Sequence, residues 1–185
     1  AKNDAILVYI STDYVFYGGL DRAYKPNDTT QPINKYGESK LLGEEVVEKL
    51  CKKYYIVRTS WLYGDKPHNF VTDLIAAADN AQLQVVNDQT GCPTWTCDVA
   101  SALIELLKNH DFGIYHACNS GSTTWYGLAQ KLYELMGIKM NLKPCSSEIL
   151  HNRVAKRPVQ SVMDNGGLCR SWEEALAEFV KTLKH

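Results

Sequence analysis

The sequence lacks the features that would point to a membrane or a nucleic acid as a partner. No apolar run in its 185 residues approaches the roughly 18 residues that a membrane helix needs, and from its first residues we expect no signal peptide. The formal net charge is only -1, which gives no electrostatic reason to expect binding to a phosphate backbone. We therefore expect no membrane and no nucleic acid among the partners.

Cysteines are scattered and show no pattern typical of a metal site. None of the six forms a Cys-x-x-Cys pair, and the closest two, Cys92 and Cys97, have no histidine or cysteine cluster behind them. We expect no metal site. We expect reduced, mostly buried thiols and a cytoplasmic protein.

What the sequence does contain is an alternation of strand-like and helix-like segments, which predicts an α/β fold. The predicted strands are 5–10, 54–57, 82–86 and 113–118, and the predicted helices are 35–52, 70–80, 98–109, 124–136 and 171–184. Residues 139–165 are predicted to be irregular. The pattern favours a partial doubly wound parallel sheet, Rossmann-like, with a small C-terminal part.

The first strand and helix carry predictions about burial. Residues 5–10 are continuously apolar, which is typical of a parallel strand covered on both faces. Asn34 is the expected N-cap of the first helix. The residues expected on the inner face of that helix are Leu41, Leu42, Val46, Val47 and Leu50.

Both of the first two predicted strands end in polar residues. Ser11 and Thr12 follow the first strand, and Thr59 and Ser60 follow the second. Ligands of open α/β sheets bind at the carboxyl ends of the strands. We therefore expect these side chains to lie at a ligand site.

Tyr36 and Lys40 are four residues apart near the start of the first predicted helix, so they lie on one face about one turn apart. A phenol with an ordinary pKa near 10 is a poor acid at neutral pH. A nearby ammonium that is shielded from water favours the phenolate by about 4 kcal/mol at an effective dielectric of about 20. Such a pair can protonate the alkoxide formed when a ketone is reduced, while Thr12 bonds the substrate oxygen.

Together these motifs resemble the extended short-chain dehydrogenase/reductase family, and within it the reductases of dTDP-4-keto-6-deoxy sugars in dTDP-L-rhamnose synthesis. The order and spacing of the matching segments run through nearly the whole chain. The segments are 11–16 (STDYVF), 32–44 (ending YGESKLLGE), 58–64 (RTSWLYG), 87–94 (NDQTGCPT) and 157–161 (RP, then serine).

The resemblance implies a hydride transfer from NADPH or NADH to the C4 ketone of a dTDP-4-dehydro-6-deoxy sugar. It implies that Thr12, Tyr36 and Lys40 are catalytic. The implied cofactor-binding residues are Ser11, Tyr36, Lys40 and Thr59, and the implied substrate-binding residues are Tyr14, Trp61, Gln89, Thr94 and Arg157.

One part of the family pattern has no counterpart among the 12 glycines, namely the glycine-rich turn that places the cofactor pyrophosphate on a helix N-terminus. We therefore expect that the first mononucleotide-binding half is absent and that the chain alone is inactive. Residues 1–66 and 96–120 would be the remnant of the dinucleotide-binding domain, interleaved with a substrate-binding part formed by 67–95 and 121–185. The expected partner is the dTDP-sugar, and a homodimer is left open.

Other interpretations are also left open by the sequence. The chain could be a non-catalytic regulatory subunit of the same family, in the way a relative serves methionine adenosyltransferase. It could be a nucleotide-sugar epimerase or dehydratase, although residues 13–16 (DYVF) are not the usual loop of those enzymes. Tyr14 and Trp61 could be packing residues, and Arg157 could be a solvated surface cation.

Overall fold

The computed structural model describes residues 4–78, 82–139, 141–149 and 154–183 and confirms the α/β fold. The strands are β1 (Leu7–Thr12), β2 (Tyr54–Thr59), β3 (Leu62–Tyr63), β4 (Leu83–Val86), β5 (Thr90–Gly91), β6 (Thr94–Trp95), β7 (Gly113–His116), β8 (Thr123–Thr124) and β9 (Leu142–Cys145). The helices are α1 (Lys35–Leu50), α2 (Phe70–Ala76), α3 (Thr96–Asn109), α4 (Trp125–Met136) and α5 (Trp172–Thr182). None of these described helices is long and apolar enough to cross a membrane.

The main sheet has the order β1-β2-β7, and both of its strand pairs are parallel. Successive side chains of β2 point to opposite faces. Val57 packs in one apolar cluster with Leu106 of α3, whereas Arg58 bonds Glu44 of α1. The two helices therefore cover opposite faces of this sheet. We call β1, α1, β2, α3 and β7 the sheet region.

The second part of the fold is an apolar cluster built mainly by α2, α4 and α5. Its buried members include Leu74 of α2, Leu128 and Leu132 of α4, and Leu176 and Phe179 of α5. A parallel pair of short strands, β4 and β9, contributes further apolar side chains to it. We call α2, α4, α5, β4 and β9 the helical cluster.

The predicted burial of β1 and α1 is wrong in part. Leu42, Val46 and Leu50 are 60%, 55% and 62% exposed, while Val47 is buried. The buried residues of α1 are Gly37, Glu44 and Val47, so the buried stripe is narrow and includes a carboxylate rather than a leucine. In β1, Ile10 is also exposed, so the described residues do not cover this strand on both faces.

Residues 139–165 are not wholly irregular, contrary to the prediction. They include β9, which pairs with β4 so that Leu83 lies opposite Leu142. The sequence analysis missed this strand because Pro144 lies in it, and prolines are found mainly in edge strands. Among the described residues, β9 is an edge strand, since its sheet has only two strands. The second predicted helix was too long, because α2 ends at Ala76, while residues 79–81 lie outside the described residues.

Candidate active site

A cleft of about 400 Å³ lies where the carboxyl ends of β1 and β2 meet the start of α1. The parallel register places Thr12 opposite Thr59 at this edge of the sheet. The predicted site residues that line the cleft are Ser11, Thr12, Tyr14, Tyr36, Lys40, Thr59, Trp61 and Arg157. Gln89 and Thr94 are the two predicted site residues that are not among its lining.

The start of α1 is fixed by a cap and by a close approach to the loop after β1. Asn34 Oδ1 accepts a hydrogen bond of 2.8 Å from the Gly37 backbone N–H, as expected for an N-cap. A Cβ atom at Gly37 would lie 2.2 Å from the Tyr14 carbonyl oxygen, so only glycine permits this approach. The Tyr14 and Tyr36 rings consequently meet edge to face, with centroids 5.9 Å apart.

Lys40 lies one turn further along α1 and is held over an aromatic ring. Its Nζ is 4.6 Å from the ring centroid of Tyr9, a cation–π contact. The Tyr9 hydroxyl also donates to the Lys40 carbonyl oxygen at 3.2 Å. Tyr36, in contrast, is 55% exposed, so its phenol is open to a molecule entering the cleft.

Thr12 is buried at the base of the cleft, and its hydroxyl is already engaged. It donates to Asp13 Oδ1 at 3.0 Å and accepts from the Tyr14 backbone N–H at 3.3 Å. A substrate oxygen that takes the Thr12 proton must therefore displace the bond to Asp13. Burial raises the pKa of Asp13 to about 6, an effect that hydrogen bonds from Ser161 and Thr12 oppose.

Ser11 lines the cleft, but its hydroxyl points to a structural partner. It donates to the Glu44 carboxylate, which also receives the Arg58 guanidinium, with Nη2 and Oε2 2.7 Å apart. Arg58 Nη1 donates to the Pro26 carbonyl at 2.9 Å and so anchors the long loop between β1 and α1. This buried network gives the Ser11 hydroxyl a partner within the protein, and the cofactor-binding role of Ser11 stays a prediction.

The Thr59 hydroxyl, unlike that of Ser11, is not used by the described part of the fold. Thr59 is buried, it lines the same cleft, and its Oγ1 has no hydrogen-bond partner within the described part of the chain. A buried hydroxyl without a partner is uncommon, because desolvation is then uncompensated. The geometry thus suits a polar ligand group at this position.

Trp61 and a second indole form one wall of the cleft. The Trp61 and Trp125 rings are stacked, with centroids 3.5 Å apart and planes 5° apart. Trp125 Nε1 donates to Gln89 Oε1 at 3.2 Å, so Gln89 lies behind this stack. Trp125 was not predicted as a site residue. The only sequence signal for it was its place just after the cap of α4.

Thr94 is fully buried, and its hydroxyl is used inside the fold. It donates to the Cys92 carbonyl at 3.0 Å and accepts from the Asn119 backbone N–H at 3.3 Å. The structure therefore places Thr94 behind the cleft, where it holds the chain that follows β5.

Arg157 lies between this cleft and a second one of about 490 Å³, and Trp125 also lines both. The second cleft is mainly apolar, with Phe70, Leu74 and Val85 among its lining residues. An exposed guanidinium at the junction can bind an anionic group that connects the two clefts.

Within the described ranges, no group of three or more His, Cys, Asp or Glu side chains is placed so that it could hold a metal ion. The six cysteines are free thiols, of which Cys92, Cys118 and Cys169 are buried.

Comparisons with known proteins give one consistent result. The RmlD substrate binding domain family matches residues 1–185. A dTDP-4-dehydrorhamnose reductase of Streptomyces griseus is 42% identical over 94% of this chain and 62% of its own length. The chain thus spans less than two thirds of this curated relative.

Solved structures of dTDP-4-dehydrorhamnose reductases are also similar to this chain. A dTDP-4-dehydrorhamnose reductase of Clostridium acetobutylicum superimposes with a TM-score of 0.94 at 39% identity, covering 98% of this chain and 67% of that one. The Bacillus anthracis dTDP-4-dehydrorhamnose reductase, solved in complex with NADP, gives 0.91 at 39% identity over 96% and 66%.

Proposed function

The chain belongs to the RmlD substrate-binding domain family, and on that premise we propose that its protein reduces the C4 ketone of a dTDP-4-dehydro-6-deoxy sugar with NAD(P)H. The observation that carries the proposal is the convergence of Thr12, Tyr36 and Lys40 on one cleft at the strand ends. Relatives named as dTDP-4-dehydrorhamnose reductases, at about 40% identity, support the substrate class.

The roles of the three residues follow from their chemistry. Tyr36 donates its phenolic proton to the oxygen of the sugar ketone as that oxygen gains negative charge. Lys40 stabilises the phenolate that this transfer leaves behind. Thr12 exchanges its bond to Asp13 for one to the same substrate oxygen and so holds the ketone in place.

The residues present fit the nicotinamide end of NAD(P)H, which supplies the hydride when bound. Thr59 has a buried hydroxyl without a partner in the described chain, and Lys40 can bond the ribose hydroxyls. Ser11 stays a proposed cofactor-binding residue, although its hydroxyl already donates to Glu44. No glycine-rich turn for the pyrophosphate occurs in the 185 residues.

The two neighbouring clefts suggest how a nucleotide sugar lies across the chain. The sugar occupies the cleft with Tyr36 and Lys40, and the diphosphate pairs with Arg157 at the junction. The thymine then enters the mainly apolar cleft beside Phe70 and Val85. We propose a cofactor side formed by 1–66 and 96–120 and a substrate side formed by 67–95 and 121–185, with the sugar cleft at their junction.

We also propose that the protein works in the cytoplasm, where reduced thiols such as its six free cysteines persist. A homodimer is compatible with the exposed apolar side chains of β1 and α1, such as Ile10, Leu42 and Val46.

The test is an assay of the protein made from its complete reading frame, with NADPH and a dTDP-4-keto-6-deoxy sugar. We expect NADPH oxidation that depends on the sugar, with formation of the 4-hydroxy product. UDP-linked 4-keto sugar serves as the matched control and should react far more slowly. Absence of reduction, together with tightly retained NAD and interconversion of sugar epimers, would instead establish an epimerase.

A further inference from the structure

The stack of Trp61 on Trp125 is the part of the cleft that the proposed chemistry does not use. The ring centroids are only 3.5 Å apart. Since carbon atoms in contact are separated by about 3.5–4.0 Å, no sugar ring fits between the two indoles. The facing sides of both rings are therefore closed to a substrate, which leaves the outer surface of the stack as the wall of the cleft.

Trp61 has an unusual backbone conformation. Its φ is 45°, in the left-handed region that a bulky residue other than glycine rarely adopts. Such strain persists only where the surroundings hold it, and it concentrates at functional sites. The Trp61 carbonyl accepts from the Thr94 N–H at 3.1 Å, and a Cβ at Gly91 would come within 2.4 Å of the indole. Gly91 thus leaves the space that the indole fills.

Trp125 is held from three directions. Besides the stack with Trp61, Phe70 meets it edge to face at 4.6 Å, and Gln89 accepts its indole N–H. Trp125 is the first residue of α4, whose cap Thr124 accepts from the Gly127 N–H at 3.0 Å. Trp125 is therefore rigidly attached to the helical cluster, whereas Trp61 follows the end of β2.

We propose that Trp125 is a positioning residue for the nucleotide sugar: by stacking on Trp61 it fixes the left-handed conformation and the orientation of that indole. This inference rests on the proposed function. Trp125 and Arg157 line both clefts, so the same stack sets the distance between the sugar position and the nucleoside position. Gln89 acts through Trp125, because it accepts the indole N–H and lies outside the lining of both clefts.

The test compares Trp125→Phe with Trp125→Leu in the protein made from its complete reading frame. The probe is dTDP-L-rhamnose, and its binding is measured by calorimetry. We expect Leu to weaken binding by about tenfold, because a branched aliphatic chain cannot stack on an indole. Phe should restore binding to within about threefold of wild type, since a flat ring still stacks.

A spectroscopic signal reports the stack directly. Two stacked indoles give an exciton couplet in far-ultraviolet circular dichroism, which both Trp125 variants should lose. Trp172→Phe is the matched control, because Trp172 is buried in the helical cluster and its Nε1 has no partner among the described residues. That variant should keep both the couplet and wild-type binding.

Two results would overturn the positioning role while leaving the proposed function intact. They are wild-type affinity in Trp125→Leu, or equal losses in Leu and Phe variants that melt at the wild-type temperature. Wild-type protein that binds no dTDP-L-rhamnose would overturn the proposed function and this inference together.

Discussion

The sheet region buries polar side chains beside its own apolar cluster, whereas the buried side chains of the helical cluster are mainly apolar. The sheet region buries a carboxylate, a guanidinium and several hydroxyls, among them Glu44, Arg58 and Thr12. The helical cluster buries aromatic and aliphatic groups, with Leu132 and Phe179 almost completely inaccessible. Buried polar groups add little net stability, whereas apolar burial adds about 25 cal/mol per Å². Apolar burial therefore stabilises both regions and dominates in the helical cluster, while the polar groups of the sheet region hold α1 and the strand ends around the cleft.

The largest change in the free energy of unfolding is expected for a substitution in the helical cluster. Phe179→Ala should lower the free energy of unfolding by about 4 kcal/mol, because it removes a buried ring from the centre of the cluster. Phe112→Ala, at an exposed ring next to β7, should cost less than about 1 kcal/mol. Urea unfolding measures both, and equal losses would contradict the comparison.

The next largest change in the free energy of unfolding is expected in the buried network of Ser11, Glu44 and Arg58. Glu44→Gln should cost about 3 kcal/mol, since it leaves the buried Arg58 guanidinium without a counter-charge. Glu45→Gln changes the neighbouring exposed residue in the same way and should lie within about 0.5 kcal/mol of wild type. If the two variants unfolded at the same urea concentration, the network would not hold α1 on the sheet.

An effect of similar size depends on pH. The folded-state pKa of Asp13 is about 6, above its ordinary value of 3.8, so ionising Asp13 costs more in the folded protein than in the unfolded one. The contribution of Asp13 to stability should therefore fall as the pH rises from about 4 to above 6. Burial lowers the pKa of His116 to about 4, and His116 contributes in the opposite direction over this window, so the prediction concerns the difference between wild type and Asp13→Asn. Asp13→Asn should gain about 3 kcal/mol over wild type at about pH 8 and less than about 1 kcal/mol at about pH 4.

Asp111→Asn is the control for this prediction, because the Asp111 side chain is exposed. Its difference from wild type should not vary with pH in the same window. A pH-independent difference for Asp13→Asn would mean that the Asp13 carboxyl is solvated.

The smallest effect concerns the outer face of α1. Leu42→Gln should change the free energy of unfolding by less than about 0.5 kcal/mol, because this leucine is already 60% exposed. Val47→Ala, on the buried side of the same helix, should cost about 1–2 kcal/mol. A loss in Leu42→Gln as large as in Val47→Ala would show that the outer face is covered.

Much of the sheet region could be predicted from the sequence, because its signals are local. The end of β1, the Asn34 cap and the spacing of Tyr36 and Lys40 each lie within a few residues. The cleft brings Thr12 together with these two residues, and it was expected for that reason. The family membership was predicted from the same motifs, and the comparisons confirm it.

What the sequence did not predict depends on contacts between distant residues. The Glu44–Arg58 pair joins two motifs 14 residues apart, and the stack of Trp61 on Trp125 joins residues 64 apart in the numbering. The exposed leucines of α1 were misjudged because an apolar stripe shows which face can be buried, not what covers it. The sequence also did not predict that the Ser11 hydroxyl donates to Glu44 and the Thr94 hydroxyl to the Cys92 carbonyl.

The central claim is that a phenol on α1 delivers a proton at the end of β1. Its most direct test is the rate of NADPH oxidation with a dTDP-4-keto-6-deoxy sugar, measured for Tyr36→Phe in the protein made from its complete reading frame. We expect a loss of about 10²–10⁴-fold, whereas Tyr17→Phe, at another exposed tyrosine, should keep wild-type activity. A Tyr36→Phe variant that retains the wild-type rate would contradict the account.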